Sequence, residues 1–191
     1  MAGVQLAKED FKNSTLTFYA NKITSDIEPY EVMMDWEDSL MEQYANIVCH
    51  NGGDVLEIGF GMGIAADYIQ GLTPSSHTII ELHPQVHTNL VAWAVGKTNV
   101  TIIHDDWFAV KDTLGQYDGI FYDGIHDEDL TYFHKTFTPD HIKAGGKMTY
   151  YNDYDNVDVF NTGAIFSPFS VTPDANGYFN KTTYYVPTVQ Y

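Results

Sequence analysis

Apolar positions along this chain come in two alternating patterns. Val32, Met33, Trp36, Leu40, Tyr44, Ile47 and Val48 recur at helical spacing and predict an amphipathic helix of about four turns. Asp54-Val55-Leu56-Glu57-Ile58 instead reads as a buried-type strand, and a helix is predicted near 63–71. The alternation then repeats, with strand 78–82, helix 84–95, strand 99–103, a short connection, and strand 117–122. A helix near 128–143 follows, and Gly145-Gly146 turns into strand 147–151. Strands alternating with helices build a parallel sheet, so an α/β fold of five parallel strands with helices on both faces is expected. The tail changes style. Ile165–Val171 and Thr182–Val189 read as strands around Pro173-Asp174-Ala175-Asn176-Gly177, where Asn-Gly signals a β-hairpin closing the sheet. Residues 1–30 are polar with scattered aromatics (Phe11, Phe18, Tyr19, Tyr30) and read as an N-terminal arm, a candidate lid on a single domain at 31–191.

The strand at 54–58 runs into three alternating glycines, Gly59, Gly61 and Gly63, and Glu81 ends the following strand. A strand, a glycine turn, a helix start and a second strand ending in a carboxylate form half of a nucleotide-binding unit. In it the glycines admit close backbone approach and the acid takes the ribose hydroxyls. The spacing is Gly-x-Gly-x-Gly, not the Gly-x-Gly-x-x-Gly that cradles a pyrophosphate. Glu57, two residues before the first glycine, repels a pyrophosphate and suits a cation. S-adenosylmethionine carries an ammonium and a sulfonium and no phosphate, so the charge logic favours it over a dinucleotide. The plainer alternative is a tight strand-to-helix turn without a ligand.

Composition narrows the picture. The 191 residues suffice for one domain with a real core, and 44% apolar against 18% charged residues describes a globular chain. No apolar run approaches the roughly eighteen residues needed to span a bilayer, and residues 1–10 lack the basic-then-apolar pattern of a secretory leader. The single cysteine, Cys49, forms no internal disulfide and reads as a packed thiol, which fits an intracellular, cytoplasmic enzyme. Twenty-six acids against nine bases, all lysine, give a net charge of −17. Such a surface disfavours nucleic acid and anionic membranes and favours a small cationic substrate, although solubility alone also selects acidic surfaces.

The wording of several segments goes further. Met34-Asp35-Trp36-Glu37, Gly52–Ala66 with Glu57-Ile58-Gly59-Phe60-Gly61-Met62-Gly63, Ile79-Ile80-Glu81, Tyr117–Asp123, Gly145–Asn152 and Tyr184-Tyr185-Val186-Pro187 run in order along the chain. Together they resemble the guanidinoacetate N-methyltransferase family of S-adenosylmethionine-dependent methyltransferases. The resemblance implies a Rossmann-like methyltransferase sheet and N-methylation of a small guanidine- or amine-containing metabolite. Two departures stand out. The region between Asn152 and the hairpin is short, so a helix that flanks the site in that family is expected to be missing. The chain has no arginine, whereas the family is expected to grip its substrate carboxylate partly through one.

Methyl transfer from a sulfonium is an in-line displacement that depends on positioning, and a guanidinium becomes nucleophilic only when a nitrogen loses its proton. Asp123, at the carboxyl end of the fourth strand, is the candidate to orient the guanidine and accept that proton, with Glu37 as the second carboxylate. Both match the guanidine-binding acids of the family. A capping role for Asp123 and a solvated helix position for Glu37 are the plain alternatives. After the third strand, Asp106 is placed to bond the adenine amino group and Trp107 to border the base or fill core. Trp36 reads as core before ligand, Tyr122, Tyr184 and Tyr185 are candidates for the rim, and His83, His87 and His134 read as surface residues. A second enzyme reading takes Asp123, Asp153 and His126 as ligands of a divalent ion in a metal-dependent O-methyltransferase. A third is a methyltransferase-like domain that binds cofactor without turnover.

Overall fold

The computed structural model describes residues 8–27, 30–125, 129–174 and 177–191. Its larger sheet contains seven strands. β4 (Asp54–Ile58), β5 (Ser76–Glu81), β6 (Val100–His104), β7 (Tyr117–Tyr122) and β8 (Ile142–Tyr150) are parallel, and β9 (Ile165–Ser170) and β10 (Thr183–Gln190) form an antiparallel hairpin. The order across the sheet is β6-β5-β4-β7-β8-β10-β9, so five parallel strands are closed by the expected hairpin. Order reverses between β4 and β7, and in open α/β sheets the crevice at that reversal is where ligands bind. The turn residue Asn176 lies outside the described residues.

Helices α2 (Asp38–Val48), α3 (Ile64–Gly71), α4 (Pro84–Trp93) and α5 (Trp107–Val110) follow the predicted places within a few residues, α5 filling the short connection. The helix expected near 128–143 is broken into α6 (Leu130–Tyr132), a π-helical turn Phe133–Phe137, and α7 (Thr138–His141). Pro139 opens α7 and cannot supply an interior amide, which accounts for the irregularity. β8 starts at Ile142 rather than 147, with a register shift against β7 that absorbs Gly145-Gly146. Gly119 has no room for a side chain: a Cβ there would lie 2.1 Å from the Val48 carbonyl oxygen, so α2 ends directly on β7. Residues 151–164 contain turns and no helix, as the shortened sequence suggested.

The N-terminal part is more ordered than an arm. Helix α1 (Lys8–Asn13) leads into a separate three-stranded antiparallel sheet, β1 (Leu16–Phe18), β2 (Lys22–Ser25) and β3 (Tyr30–Met34). Strand β3 spans the boundary expected at residue 30, and Val32 and Met33 therefore belong to a strand. Trp36 sits in a 3-10 turn, Asp35–Glu37, and the helix begins only at Asp38. Pairing with β2 overrides the helical spacing, because an extended end followed by a tight turn keeps the same residues inward. This small sheet is tied to the larger one by side chains. Gln85 both accepts from Leu16 N (2.7 Å) and donates to Leu16 O (3.1 Å), and Lys8 bridges Asp106 (2.8 Å) and Asp129 (2.9 Å).

Candidate active site

The carboxyl ends of β4, β5, β7 and β8 open into a cavity of about 810 Å³, within the range of small-molecule and cofactor sites. Its floor is the glycine turn. Gly59 (φ +90°) and Gly61 (φ +53°) line the cavity in conformations that disfavour side chains. A Cβ on Gly59 would stand 2.4 Å from Asp123 O, and one on Gly61 would stand 2.5 Å from Met33 Sδ. Gly63 (φ +79°) lies behind the turn as the cap of α3, against the Phe60 ring.

At one end of the cavity Glu81 is held by the backbone. Phe60 N donates to Oε2 (2.9 Å) and His83 N donates to Oε1 (2.6 Å). Burial nevertheless pushes its carboxyl up to about 7. A carboxylate has about four acceptor positions, so these amides leave room for a further donor. Asp106 caps α5 through Phe108 N (3.0 Å), pairs with Lys8, and lines the cavity beside Trp107. Trp107 is 4% exposed, stacks edge-on against Phe133 in the core and borders the cavity. Among the described residues its buried Nε1 has no hydrogen-bond partner, the kind of orphaned donor a ligand satisfies. Glu57 is placed differently. It points away from the cavity lining to His77 Nε2 (2.7 Å), fully buried, and underpins the glycine turn. These residues fit S-adenosylmethionine: Gly59 and Gly61 allow close approach, Glu81 suits the ribose, and Asp106 with Trp107 flank a base.

At the other end, Glu37 and Asp123 face the same space from different elements. Glu37 is 2% exposed, on the 3-10 turn rather than on a solvated helix, and Oε1 accepts from Met34 N (3.0 Å) and from the Tyr178 hydroxyl. Burial raises its carboxyl to about 7, against the opposing pull of those hydrogen bonds. Asp123 is raised well above the usual carboxylate range, by burial first and then by the neighbouring charges of Glu37, Glu57, Glu81 and Asp153. Its amide bonds Ile58 O (2.8 Å), which fixes it at the end of β7.

Several wall residues were not singled out by the sequence. Tyr178 reaches Glu37 from the chain between β9 and β10, and Phe179 beside it stacks on Trp36 (5.7 Å). Tyr151 lines the cavity with a buried hydroxyl that has no partner among the described residues. No motif signals these positions, because contacts between residues 36–37 and 178–179 exist only once the hairpin folds back. Of the rim candidates, Tyr122, Tyr184 and Tyr185 line the cavity. Tyr122 and Tyr184 are almost fully buried, with Tyr184 bonded to Tyr44 (2.7 Å). His83 and His134 are buried, not at the surface, since His83 caps α4 and contacts Ser14 O (3.1 Å) while His134 stacks on Phe160. Among the described residues no group of three His, Cys, Asp or Glu could hold a metal ion, and His126 of the metal reading lies outside them. Nor is any described helix long and apolar enough to cross a membrane.

Sheet order, glycine turn and the cavity at the strand ends are those of a Rossmann-like nucleotide-binding α/β fold. Among solved structures, spermidine synthase from Thermotoga maritima is similar at TM-score 0.62 and 10% identity, covering 92% of this chain and 71% of that one. M. jannaschii TYW2, solved with AdoMet, is similar at TM-score 0.60 and 14% identity, covering 94% and 85%. At these identities the likeness shows the fold. The family model described as guanidinoacetate N-methyltransferase matches residues 3–163, and the chain belongs to that family. Curated relatives include protein arginine N-methyltransferase 2 of Yarrowia lipolytica, 34% identical over 66% of this chain and 27% of the relative. The namesake of Aspergillus oryzae is 31% identical over 78% and 38%, and that of Saccharomyces cerevisiae 30% identical over 84% and 47%. The chain thus spans less than half the length of these relatives.

Proposed function

We propose that this protein methylates a nitrogen of a guanidino group, with Asp123 and Glu37 binding that group. The observation that carries the reading is the buried pair itself: two carboxyls from separate elements on one cavity, both raised by burial and, for Asp123, by neighbouring acids. Buried carboxylates without a cation are costly, and a planar cation with several N–H donors supplies both the charge and the hydrogen bonds they lack. S-adenosylmethionine, when bound, supplies an electrophilic methyl group. Gly59, Gly61, Glu81, Asp106 and Trp107 would hold it, with Glu57 and Gly63 supporting the turn from behind. Glu37 and Asp123 would hold the guanidino plane, and Asp123 would accept the proton lost from the nitrogen that takes the methyl group. Lys8, Phe11, Val32 and Met33 line the cavity, which supports a covering role for the N-terminal segment.

The relatives' name points to arginine within proteins, and the family's name points to a small guanidine. Both present the same group. The test is mass spectrometry of products from small guanidines, arginine peptides, amines and catechols, each with and without EDTA. Methylated guanidine that is indifferent to the chelator is the expected result. A catechol product lost with EDTA and restored by magnesium would support the metal-dependent O-methyltransferase instead, and cofactor binding without any product would make the domain non-catalytic.

A further inference from the structure

Strand β3 touches both ends of the cavity through neighbouring residues. Side chains alternate along a strand, so Met33 and Met34 leave β3 in opposite directions. Met33 is buried on the cavity wall, and its thioether accepts from Met62 N in the glycine turn at 3.0 Å. The same sulfur crowds Gly61, where no Cβ would fit beside it. Met34 belongs to the substrate end. Its amide donates to Glu37 Oε1 (3.0 Å), and its thioether accepts from Trp36 Nε1 (3.1 Å). That thioether also packs on Gly177, 3.2 Å from where a Cβ would stand, in the stretch that supplies Tyr178 to Glu37. β3 is the edge strand of the small sheet, with Met33 opposite Ile23 of β2. One residue therefore separates the contact with the glycine turn from the hydrogen bond that orients Glu37.

We propose that Met33 is a positioning residue that carries cofactor occupancy to Glu37, so that the guanidino group binds best after the cofactor. The inference rests on the cofactor and guanidino readings above and adds an order of events to them. A thioether is a weak acceptor, and its bond to Met62 N keeps its geometry only while the glycine turn keeps its shape. A cofactor laid against Gly59 and Gly61 fixes that turn, and Met33 with it. The Met34 amide is then fixed against Glu37 Oε1, and the carboxyl is held in one orientation for the substrate. Coupling is reciprocal, so a bound guanidine holds the cofactor more tightly by the same factor.

Amide hydrogen exchange on the intact chain, with S-adenosylhomocysteine as the probe, tests this without a known substrate. Binding should slow exchange of the amides of residues 59–63. Through Met33 it should also slow the Met34 amide by about fivefold or more, the low end of usual couplings. Met33→Leu keeps side-chain bulk and removes the acceptor. In that variant the slowing at 59–63 should persist, while the slowing at Met34 should drop several-fold. No slowing at Met34 in the wild-type chain, with residues 59–63 slowed, would overturn the inference and leave the cofactor reading intact. Equal slowing in Met33→Leu would overturn it too, since the ligand would then act on Met34 without the thioether. No slowing at either place would remove the cofactor reading and this inference together.

Discussion

The two ends of the cavity are built by different means. At the cofactor end the decisive atoms are backbone: positive-φ glycines, and amides of residues 60 and 83 that fix Glu81. At the substrate end they are side chains from distant stretches, Glu37 from before α2, Asp123 from β7, Tyr151 after β8 and Tyr178 from the hairpin. The backbone end gives one geometry that any bound cofactor of the class shares. On the proposed function, the side-chain end is where specificity would reside. Burial raises the acids of both ends, yet Glu81 has two amide donors while no donor to the Asp123 carboxylate occurs among the described residues.

The largest effect expected follows from that difference. Asp123→Asn keeps shape but removes the charge and the proton acceptor, so turnover should fall about 10²–10⁴-fold while S-adenosylhomocysteine affinity holds. Steady-state rates beside calorimetry check this, and loss of both together would make Asp123 a structural residue of the glycine turn. Glu81→Ala acts at the other end. It should cost about 2–3 kcal/mol of cofactor affinity by calorimetry, the size of hydrogen bonds to a charged group. Unchanged affinity would remove Glu81 from the ribose.

The pH dependence follows from the raised carboxyls. Glu37 and Glu81 rise from an ordinary value near 4.5 to about 7 on folding, so the folded state binds protons more tightly than the unfolded chain. Their contribution to stability is full below pH 4.5 and is lost as pH rises to about 7. Thermal unfolding of the free protein should therefore occur at lower temperature at pH 7.5 than at pH 5.5, and Glu37→Gln should flatten part of that slope. A slope unchanged by Glu37→Gln would remove Glu37 from the groups that cause it. The smallest effect is expected from Tyr178→Phe. Its hydroxyl favours ionised Glu37, so its removal should raise KM for the guanidine a few-fold, about 0.5–1.5 kcal/mol, and move the alkaline rise in activity upward. Cofactor affinity should not change.

How much was legible follows the same division. The sheet, the glycine turn and Glu81 were readable because each is a local pattern: a buried run, a spacing, an acid at a strand end. Asp123 was readable because topology puts the end of β7 at the crevice. Glu37 could be named only through family wording, and its setting was misread, since helical spacing from Val32 hid the strand β3 and the turn that buries it. Tyr151 and Tyr178 were not singled out at all. Their chemistry comes from pairing with residues far away in sequence, and a lone tyrosine in a chain with fourteen of them carries no signal. The burial of His83 and His134 was missed for the same reason, because their partners Ser14 O and Phe160 are brought up by the fold.

On the proposed function, the raised carboxyls of Glu37 and Asp123 await a cation. Calorimetry of guanidine binding to the S-adenosylhomocysteine complex near pH 6.5, in buffers of different ionisation heat, reads this directly. A guanidinium arriving between Glu37 and Asp123 should restore their ionised forms and release protons. Release should diminish in Glu37→Gln. Binding without proton release, or with uptake, would contradict the account.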